Sequence, residues 1–256
     1  MKRRAVFLDR DGTLVHAAHY PSRPQDLHLY DNIGPGMRAL QSLGFRLVVI
    51  TNQAGIARGY FDEGDLQRMH AYLRAELALW GVRLDGIYYC PHHPEGVVPE
   101  LAVSCTCRKP QPGMLLQAAR DLDLDLRRSW FVGDILDDVE AGNRAGCRTI
   151  LVDLGTESVP EHFLRSPAFV ASDTRHALEI IKTVTALEPD LDLVYRPTAW
   201  RDGQGEPSNT GMMNRNSQNQ EYPLAHSRAL HRAFNCSTGR TSAIDRAAAH
   251  AKDRHS

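Results

Sequence analysis

Short apolar runs alternate with longer amphipathic segments along the first three quarters of the chain. The apolar runs are rich in branched and aromatic residues and stop abruptly at polar ones, which predicts buried strands. The segments between them repeat apolar residues at intervals of three and four, which predicts helices with one buried face. We predict strands over residues 5–8, 45–51, 86–89, 130–134, 148–152 and 169–171, and helices over residues 35–43, 63–80, 113–124, 139–145 and 176–187. This alternation is typical of an α/β fold built on a parallel sheet.

Two carboxylates, Asp9 and Asp11, follow the first predicted strand. Because side chains alternate along a strand, both should point to one side while Arg10 points away. Neighbouring carboxylates at a buried strand end repel each other unless a divalent cation such as Mg²⁺ lies between them. Asp9 would then act as a nucleophile, and Asp11 would exchange a proton with a leaving alkoxide. The alternative is an Asp-Gly turn whose two carboxylates are simply solvated.

Other predicted strands also end in polar residues. Thr51, Asn52 and Gln53 come at the end of the second strand. Thr51 should lie beside the first carboxylates, because parallel strands joined by a helix end at the same edge of the sheet. Asp134 ends the fourth strand and completes an oxygen-rich site suited to Mg²⁺. Asp138 would hold a metal-bound water or only cap the helix that begins there.

Three of the five cysteines fall between residues 90 and 107. A Cys-x-His pair followed by a Cys-x-Cys pair offers four soft ligands for a tetrahedral zinc ion. These ligands are Cys90, His92, Cys105 and Cys107. Spacing alone leaves His93 open as an alternative to His92, and the other interpretation is a set of reduced surface thiols.

Arg108 and Lys109 directly follow the second cysteine pair. A zinc ion would fix the loop that carries them, so that Lys109 could reach a substrate phosphate together with the nucleophilic carboxylate. A solvated surface position is the ordinary role of a lysine and stays the alternative.

The composition changes near residue 188, where apolar periodicity fades and Ser, Asn, Gln, Gly and Arg become frequent. We therefore predict one domain over residues 1–187 and a disordered or weakly helical polar tail over residues 188–256, in which Cys236 has no assigned role. The 30 Lys and Arg residues balance 31 Asp and Glu residues, which argues against nucleic acid or an anionic membrane as a partner. Without a long apolar span or a cleavable leader, we expect a cytoplasmic protein.

The chain resembles the haloacid dehalogenase superfamily of phosphohydrolases through four motifs. In chain order these are DRDGT at residues 9–13, TNQ at residues 51–53, Lys109, and Gly133-Asp134. Within the superfamily, DRDGT, TNQAGIARGYF and the CxH…CxCRKP loop are similar to the D-glycero-D-manno-heptose 1,7-bisphosphate phosphatases and the related histidinol-phosphatases. The resemblance implies a Rossmann-like sheet flanked by helices without a large cap domain, Mg²⁺ catalysis, and a structural zinc that shapes the substrate loop.

Carried over residue by residue, the resemblance implies a role for each motif position. Asp9 matches the nucleophile, Asp11 the general acid and base, and Arg108 a residue of substrate recognition. Thr51 and Lys109 match the residues that stabilise the transferring phosphoryl group. The implied Mg²⁺ ligands are Asp9, Asp134 and the backbone carbonyl of Asp11, and the implied zinc ligands are Cys90, His92, Cys105 and Cys107. The implied substrate contacts are Asp9, Arg10, Asp11, His19, Tyr20, Thr51, Asn52, Gln53, Arg108 and Lys109.

The expected substrate is a small phosphorylated sugar, first of all a heptose 1,7-bisphosphate cleaved at C7 by a monomeric enzyme. Two departures lie where the far end of the substrate would be recognised. Ile135 replaces a residue that is commonly basic, and Ala17-Ala18-His19-Tyr20 differs from the usual Asp-His-Gly-Tyr. Histidinol phosphate or another small phosphorylated polyol is therefore the alternative substrate. A receiver-like domain that accepts phosphate is the non-enzymatic alternative, and the near-neutral charge argues against a polynucleotide phosphatase.

Overall fold

Six parallel strands form the central sheet of residues 2–187, the part of the chain that the computed structural model describes. The strands are β1 (Ala5–Leu8), β2 (Arg46–Asn52), β3 (Gly86–Cys90), β4 (Trp130–Gly133), β5 (Arg148–Val152) and β6 (Phe169–Ala171). The helices are α1 (Ile33–Ser42), α2 (Glu63–Leu79), α3 (Gly113–Asp121), α4 (Leu136–Ala145) and α5 (Thr174–Leu187). The predicted tail over residues 188–256, with Cys236, lies outside the described residues and stays a prediction.

The strand order is β3-β2-β1-β4-β5-β6, and every neighbouring pair is parallel. The predicted α/β fold with a parallel sheet flanked by helices is therefore confirmed. Because β1 lies between β2 and β4, the direction in which strands are added reverses beside it. Ligands of open α/β sheets bind outside the carboxyl ends of the strands at such a reversal.

Alternating side chains of β1 fill two separate cores, one on each face of the sheet. Val6 and Leu8 pack with residues of α1, α2 and α5 on one face. Phe7 packs with residues of α3 and α4 on the other face. All of β1 is buried, as a continuous apolar run predicts for a parallel strand covered on both sides. The loop that follows β1 is thus anchored to the most enclosed strand of the sheet.

Several helix ends differ from the hydrophobic pattern. Helices α1, α4 and α5 begin at Ile33, Leu136 and Thr174 instead of residues 35, 139 and 176. In α4 the acidic residues Asp137 and Asp138 of the first turn obscure the apolar pattern that begins at Leu136, and the Ile135 N–H donates to Asp138 Oδ2 at 3.3 Å. Helix α3 ends at Asp121 instead of residue 124, because Asp123 adopts a left-handed backbone with φ 52°.

The loop between β1 and α1 contains one 3-10 turn, Pro24–Asp26. Within the described residues no inserted domain covers the sheet edge beside it, which agrees with the expected absence of a large cap. None of the described helices is both long and apolar enough to span a lipid bilayer.

Candidate active site

Strands β1, β2 and β4 bring Asp9, Thr51 and Asp134 to the same edge of the sheet. The backbone N–H of Asp9 donates to the Val132 carbonyl at 2.9 Å, which extends the pairing of β1 with β4 up to this carboxylate. Thr51 lies at the penultimate position of β2, and Asp134 directly follows β4. All three residues are buried, so this edge of the sheet holds polar side chains that are largely removed from solvent.

A tight turn after β1 makes room for Asp134. Gly12 has φ +86°, in the left-handed region that favours glycine, and a Cβ at this position would overlap the Asp134 carboxylate. Thr13 Oγ1 donates to Asp134 Oδ1 across 3.5 Å. Thr174 Oγ1, at the start of α5, donates to the Thr13 carbonyl at 2.6 Å. Helix α5 therefore stabilises the turn against which Asp134 packs.

The ammonium group of Lys109 lies between two buried carboxylates. Its Nζ is 2.5 Å from Asp9 Oδ1 and 2.6 Å from Asp138 Oδ1. Burial has the largest effect and lowers the pKa of Lys109, but the carboxylates of Asp138 and Asp9 together outweigh it and raise that pKa above its ordinary value. Asn52 fixes the backbone of Lys109, since its Oδ1 accepts from the Lys109 N–H (3.1 Å) and its Nδ2 donates to the Lys109 carbonyl (3.2 Å). Lys109 is therefore a charged, preorientated group and not a solvated lysine.

Asp9, Asp134 and Asp138 place carboxylate oxygens within 4.8 Å of one another. Burial, followed by the charge of Asp138, raises the pKa of Asp134 to about 7. Burial also raises the pKa of Asp9, and the opposing charge of Lys109 does not cancel this effect. Three carboxylates against one ammonium give the cluster surplus negative charge, and buried oxygen donors suit a hard divalent cation. The residues present therefore fit Mg²⁺.

The carboxylate of Asp11 is engaged by neighbouring side chains instead of the aspartate cluster. It accepts from Arg10 Nε and Nη2 and from Gln53 Nε2, at distances of 3.0–3.2 Å. The expectation that Arg10 points away from Asp11 is wrong. Strand β1 ends at Leu8, so the turn that follows does not keep the strict alternation of a strand.

A second group of potential metal ligands lies at the end of β3 and on the loop between β3 and α3. The Sγ atom of Cys107 lies 3.2 Å from that of Cys90 and 3.2 Å from that of Cys105, and the Sγ atoms of Cys90 and Cys105 are 3.5 Å apart. His92 Nδ1 lies 3.6 Å from Cys90 Sγ and 3.3 Å from Cys107 Sγ. Zinc–sulfur bonds of about 2.3 Å in a tetrahedron separate two sulfurs by about 3.8 Å. The four atoms thus have nearly the spacing that one zinc ion requires.

The same loop positions the cation pair that follows it. The Arg108 N–H donates to Cys105 Sγ at 3.4 Å, and Arg108 Nη1 donates to the His92 carbonyl at 3.4 Å. His93 turns to a different partner, with its Nε2 3.2 Å from Arg58 Nη2. Of the two histidines, His92 is the one that joins the thiols.

An aromatic group forms where the loops after β1 and β2 meet. The rings of His19 and Tyr20 are 4.7 Å apart, and those of Tyr20 and Tyr60 are 4.8 Å apart. Tyr60 is 55% exposed, so its ring is open to a ligand. The sequence interpretation missed Tyr60, whose only signal is its place in the TNQAGIARGYF stretch.

The structure therefore divides the expected site residues into two sets. Asp9, Thr51, Lys109 and Asp134 converge at one edge of the sheet, whereas the side chains of Arg10, Asn52 and Gln53, three expected substrate contacts, are occupied by other protein groups. Asp138, for which the sequence left two roles open, accepts from the Ile135 N–H at the start of α4 and pairs with Lys109.

Known proteins that are similar to this chain include phosphatases of heptose bisphosphates. A HAD-hydrolase-like family model matches residues 106–177. The chain is similar to the D-glycero-beta-D-manno-heptose-1,7-bisphosphate 7-phosphatase of Escherichia coli strain K12, with 46% identity over 158 residues that cover 61% of this chain and 83% of the relative. It is also similar to the D-glycero-alpha-D-manno-heptose-1,7-bisphosphate 7-phosphatase of Photorhabdus laumondii, with 41% identity over 155 residues, 60% of this chain and 85% of the relative.

One solved structure adds a ligand to the comparison. The chain is similar to the D,D-heptose 1,7-bisphosphate phosphatase from B. bronchiseptica complexed with magnesium and phosphate. The TM-score is 0.61 at 31% identity, and the match covers 70% of this chain and 98% of that one.

Proposed function

Because the chain belongs to the heptose 1,7-bisphosphate phosphatases of the haloacid dehalogenase superfamily, we propose that it removes the C7 phosphate of D-glycero-beta-D-manno-heptose 1,7-bisphosphate during the biosynthesis of nucleotide-activated heptose. Membership in this family confirms the predicted phosphoric monoester hydrolase. The observation that carries the proposal is the position of Lys109 Nζ, 2.5 Å from Asp9 Oδ1 at the reversal point of the sheet. A carboxylate nucleophile and a fixed cation there suit phosphoryl transfer.

In the first step, Asp9 attacks the phosphorus of the C7 phosphate in line with the bond to the sugar oxygen. The bond between phosphorus and that oxygen breaks, an aspartyl-phosphate forms on Asp9, and Asp11 gives its proton to the leaving oxygen. Lys109 and Thr51 stabilise the negative charge on the phosphoryl oxygens. Asn52 and Asp138 hold Lys109 in place before the substrate arrives, so little reorganisation is needed during the reaction.

In the second step, Asp11 is ionised and takes a proton from a water molecule whose oxygen attacks the same phosphorus. The bond between phosphorus and Asp9 breaks, and inorganic phosphate leaves with the water oxygen. Asp9 regains its carboxylate, and Asp11 keeps the proton for the next substrate. One carboxyl group thus acts first as an acid and then as a base.

For Mg²⁺ we propose Asp9, Asp134 and the backbone carbonyl of Asp11 as ligands, next to the ion pair of Asp138 with Lys109. When bound, the cation supplies positive charge that offsets the carboxylates and the phosphate oxygens. The surplus negative charge of the aspartate cluster supports this assignment, as does the relative that is complexed with magnesium and phosphate.

We also assign Cys90, His92, Cys105 and Cys107 to a structural zinc ion. Four protein ligands complete a tetrahedral site and leave no open position for a substrate. The role that follows is mechanical, because the loop that holds the ligands also carries Arg108 and Lys109. The hydrogen bond from the Arg108 N–H to Cys105 Sγ supports this coupling.

The cytoplasm is the compartment that we propose for this reaction, with a monomer as the acting form. Among residues 2–187, Cys90, Cys105, Cys107 and Cys147 form no disulfide bond, which fits a reducing compartment.

The test is phosphate release at saturating Mg²⁺ from both anomers of D-glycero-D-manno-heptose 1,7-bisphosphate, histidinol phosphate and sugar monophosphates. We expect the highest kcat/KM for the beta anomer. Asp9→Asn should lower the rate by several powers of ten, because the amide is a poor nucleophile and metal ligand. The control is Asp137→Asn. Asp137 lies next to Asp138 in α4 but pairs with Arg165, so this change should leave the rate unchanged.

Three outcomes would contradict the proposal. Asp9→Asn with a tenth of the wild-type rate would exclude Asp9 as the nucleophile. A kcat/KM for histidinol phosphate or for a sugar monophosphate that exceeds the value for the heptose bisphosphates would show that the proposed substrate is wrong. Uptake of a single phosphate without turnover would point to a receiver-like domain.

A further inference from the structure

We propose that Arg10 and Gln53 are positioning residues that hold the carboxylate of Asp11 for proton transfer. The inference rests on the proposed function, which makes Asp11 the acid and base. The resemblance to known enzymes implies that Arg10 and Gln53 contact the substrate. Their side chains, however, are 0% and 4% exposed and are occupied inside the protein.

The buried guanidinium of Arg10 forms an ion pair with the partly exposed carboxylate of Asp11. Arg10 Nη2 lies 2.9 Å from Asp11 Oδ2, and Nε donates to the two carboxylate oxygens at 3.2 and 3.1 Å. Because a buried cation is stable only when it is paired and hydrogen-bonded, each side chain fixes the conformation of the other. The imidazole of the nearby His70 adds no positive charge beside Arg10. Burial and then the charge of Arg10 keep the pKa of this imidazole low.

Gln53 completes the arrangement with three hydrogen bonds. Its Oε1 accepts from Arg10 Nη2 at 3.0 Å, and its Nε2 donates to Asp11 Oδ2 at 3.1 Å and to Thr51 Oγ1 at 2.8 Å. One buried amide therefore connects Arg10, the acid and base, and a residue of the phosphate site. The side chain of Asp11 is 26% exposed, so the same carboxylate is held from the buried side and accessible from the open side.

These contacts orient a proton donor without touching the nucleophile. A carboxyl group held at a fixed angle delivers its proton more efficiently, because little orientational freedom is lost in the transition state. The planar fork of arginine can hold both oxygens of a carboxylate, which the point charge of a lysine cannot. The Arg10 side chain donates to Asp11 and Gln53 and, within residues 2–187, not to Asp9, Lys109 or Asp134, so its removal should impair proton transfer and spare phosphoryl transfer.

The experiment compares Arg10→Met with wild type on phosphate monoesters whose leaving groups differ in pKa, at saturating Mg²⁺. p-Nitrophenyl phosphate lies at one end of the series because its leaving group departs without a proton, and heptose 1,7-bisphosphate lies at the other. The change should leave kcat/KM for p-nitrophenyl phosphate within about threefold and lower it about 100-fold for the sugar, the ordinary size of a general-acid effect. A burst of p-nitrophenol should also appear, because Asp11 acts as the base of the second step. Arg10→Lys should recover part of the loss.

The matched control is Arg46→Met. Arg46 is a partly buried arginine whose Nη1 lies 2.8 Å from Asp85 Oδ1, at the end of β2 opposite the site. It forms an ion pair of the same chemical type, so a general loss of stability should affect both variants. Only Arg10→Met should change the dependence on the leaving group.

An equal loss across the series, a rise in KM alone, or no loss at all would overturn the inference. Gln53→Leu removes a hydrogen bond to Asp11 without unpairing a buried charge, and it carries the same test if Arg10→Met does not fold. We expect a smaller loss with the same dependence on the leaving group, and a uniform loss would again contradict the inference. Failure of the wild-type protein to hydrolyse any member of the series would overturn the proposed function instead.

Discussion

His70 is an imidazole of α2 in the core beside the sheet. It is 5% exposed, its ring centroid lies 5.6 Å from that of Tyr89, and its Nε2 has no hydrogen-bond partner among residues 2–187. Burial, and then the charges of Arg10 and Arg74, lower its pKa from 6.5 to about 3. The folded protein therefore holds this ring neutral at pH values where the unfolded chain binds a proton.

Acid should destabilise the protein through this one residue. Between the folded pKa of about 3 and the unfolded value of 6.5, the unfolded state binds more protons, so the free energy of unfolding falls as the pH falls. His70→Gln should remove this contribution, so wild type should lose up to about 1.4 kcal/mol per pH unit relative to the variant. Urea denaturation at several pH values between about 7 and 5 measures the difference. His28→Gln changes an exposed histidine and is the control, and a pH-independent difference for His70→Gln would show that the folded ring accepts a proton.

The loop between β3 and α3 is the element that joins the cysteine and histidine cluster to Lys109. It begins at Cys90, which is buried at the end of β3, and it carries Cys105 and Cys107 just before Lys109. If a zinc ion holds the loop, then loss of one ligand should displace Arg108 and Lys109 although no ligand touches the reacting phosphorus.

Cys107→Ala should therefore lower the zinc content toward zero and raise KM strongly. Mg²⁺ should not restore activity, because a hard cation binds poorly to thiolates. Elemental analysis and kinetics at saturating Mg²⁺ measure both effects. Cys147→Ala is the matched control, since Cys147 is buried and lies outside the cluster. Wild-type protein purified without chelator that holds no zinc and is fully active would contradict the structural role.

The elements differ in how well the sequence predicts them. All six strands lie within one residue of their predicted ends, because a run of branched apolar residues is a strong local pattern. The start of α4 is missed because its first turn contains Asp137 and Asp138, whose partners Arg165 and Lys109 are distant in sequence. A tertiary contact of this kind leaves no periodic signal.

The same distinction applies to the site. Asp9, Lys109 and the cysteine and histidine cluster are identifiable because each occupies a strand end or a loop with a characteristic spacing. The fold of Arg10 onto Asp11 and the approach of Tyr60 to Tyr20 are not, because they depend on how a turn and two loops meet in space. The missed features are therefore set by the geometry of a turn and by a contact between two loops, neither of which leaves a periodic signal in the sequence.

For the whole molecule, truncation after Leu187 should leave catalysis and stability nearly unchanged. Both hydrophobic cores and all residues assigned to the reaction lie within residues 2–187, and the composition beyond them cannot supply a core. We expect kcat/KM within about twofold of the full chain and a Tm changed by no more than about 2 °C. An insoluble or inactive truncated protein would show that residues 188–256 contribute to the domain.

The central position of β1 has a consequence for the chain while the ribosome is still making it. The Ala5 N–H donates to Ser129 Oγ, a partner 124 positions later in the chain. At about 5–20 residues per second, β1 waits roughly 6–25 s for β4 to be synthesised. Strand β2 can cover one edge of β1 during this interval, but the other edge keeps unpaired N–H and C=O groups that invite aggregation. The nascent protein is therefore most in need of a chaperone before its fourth strand emerges, and it acquires catalytic competence late in its own translation.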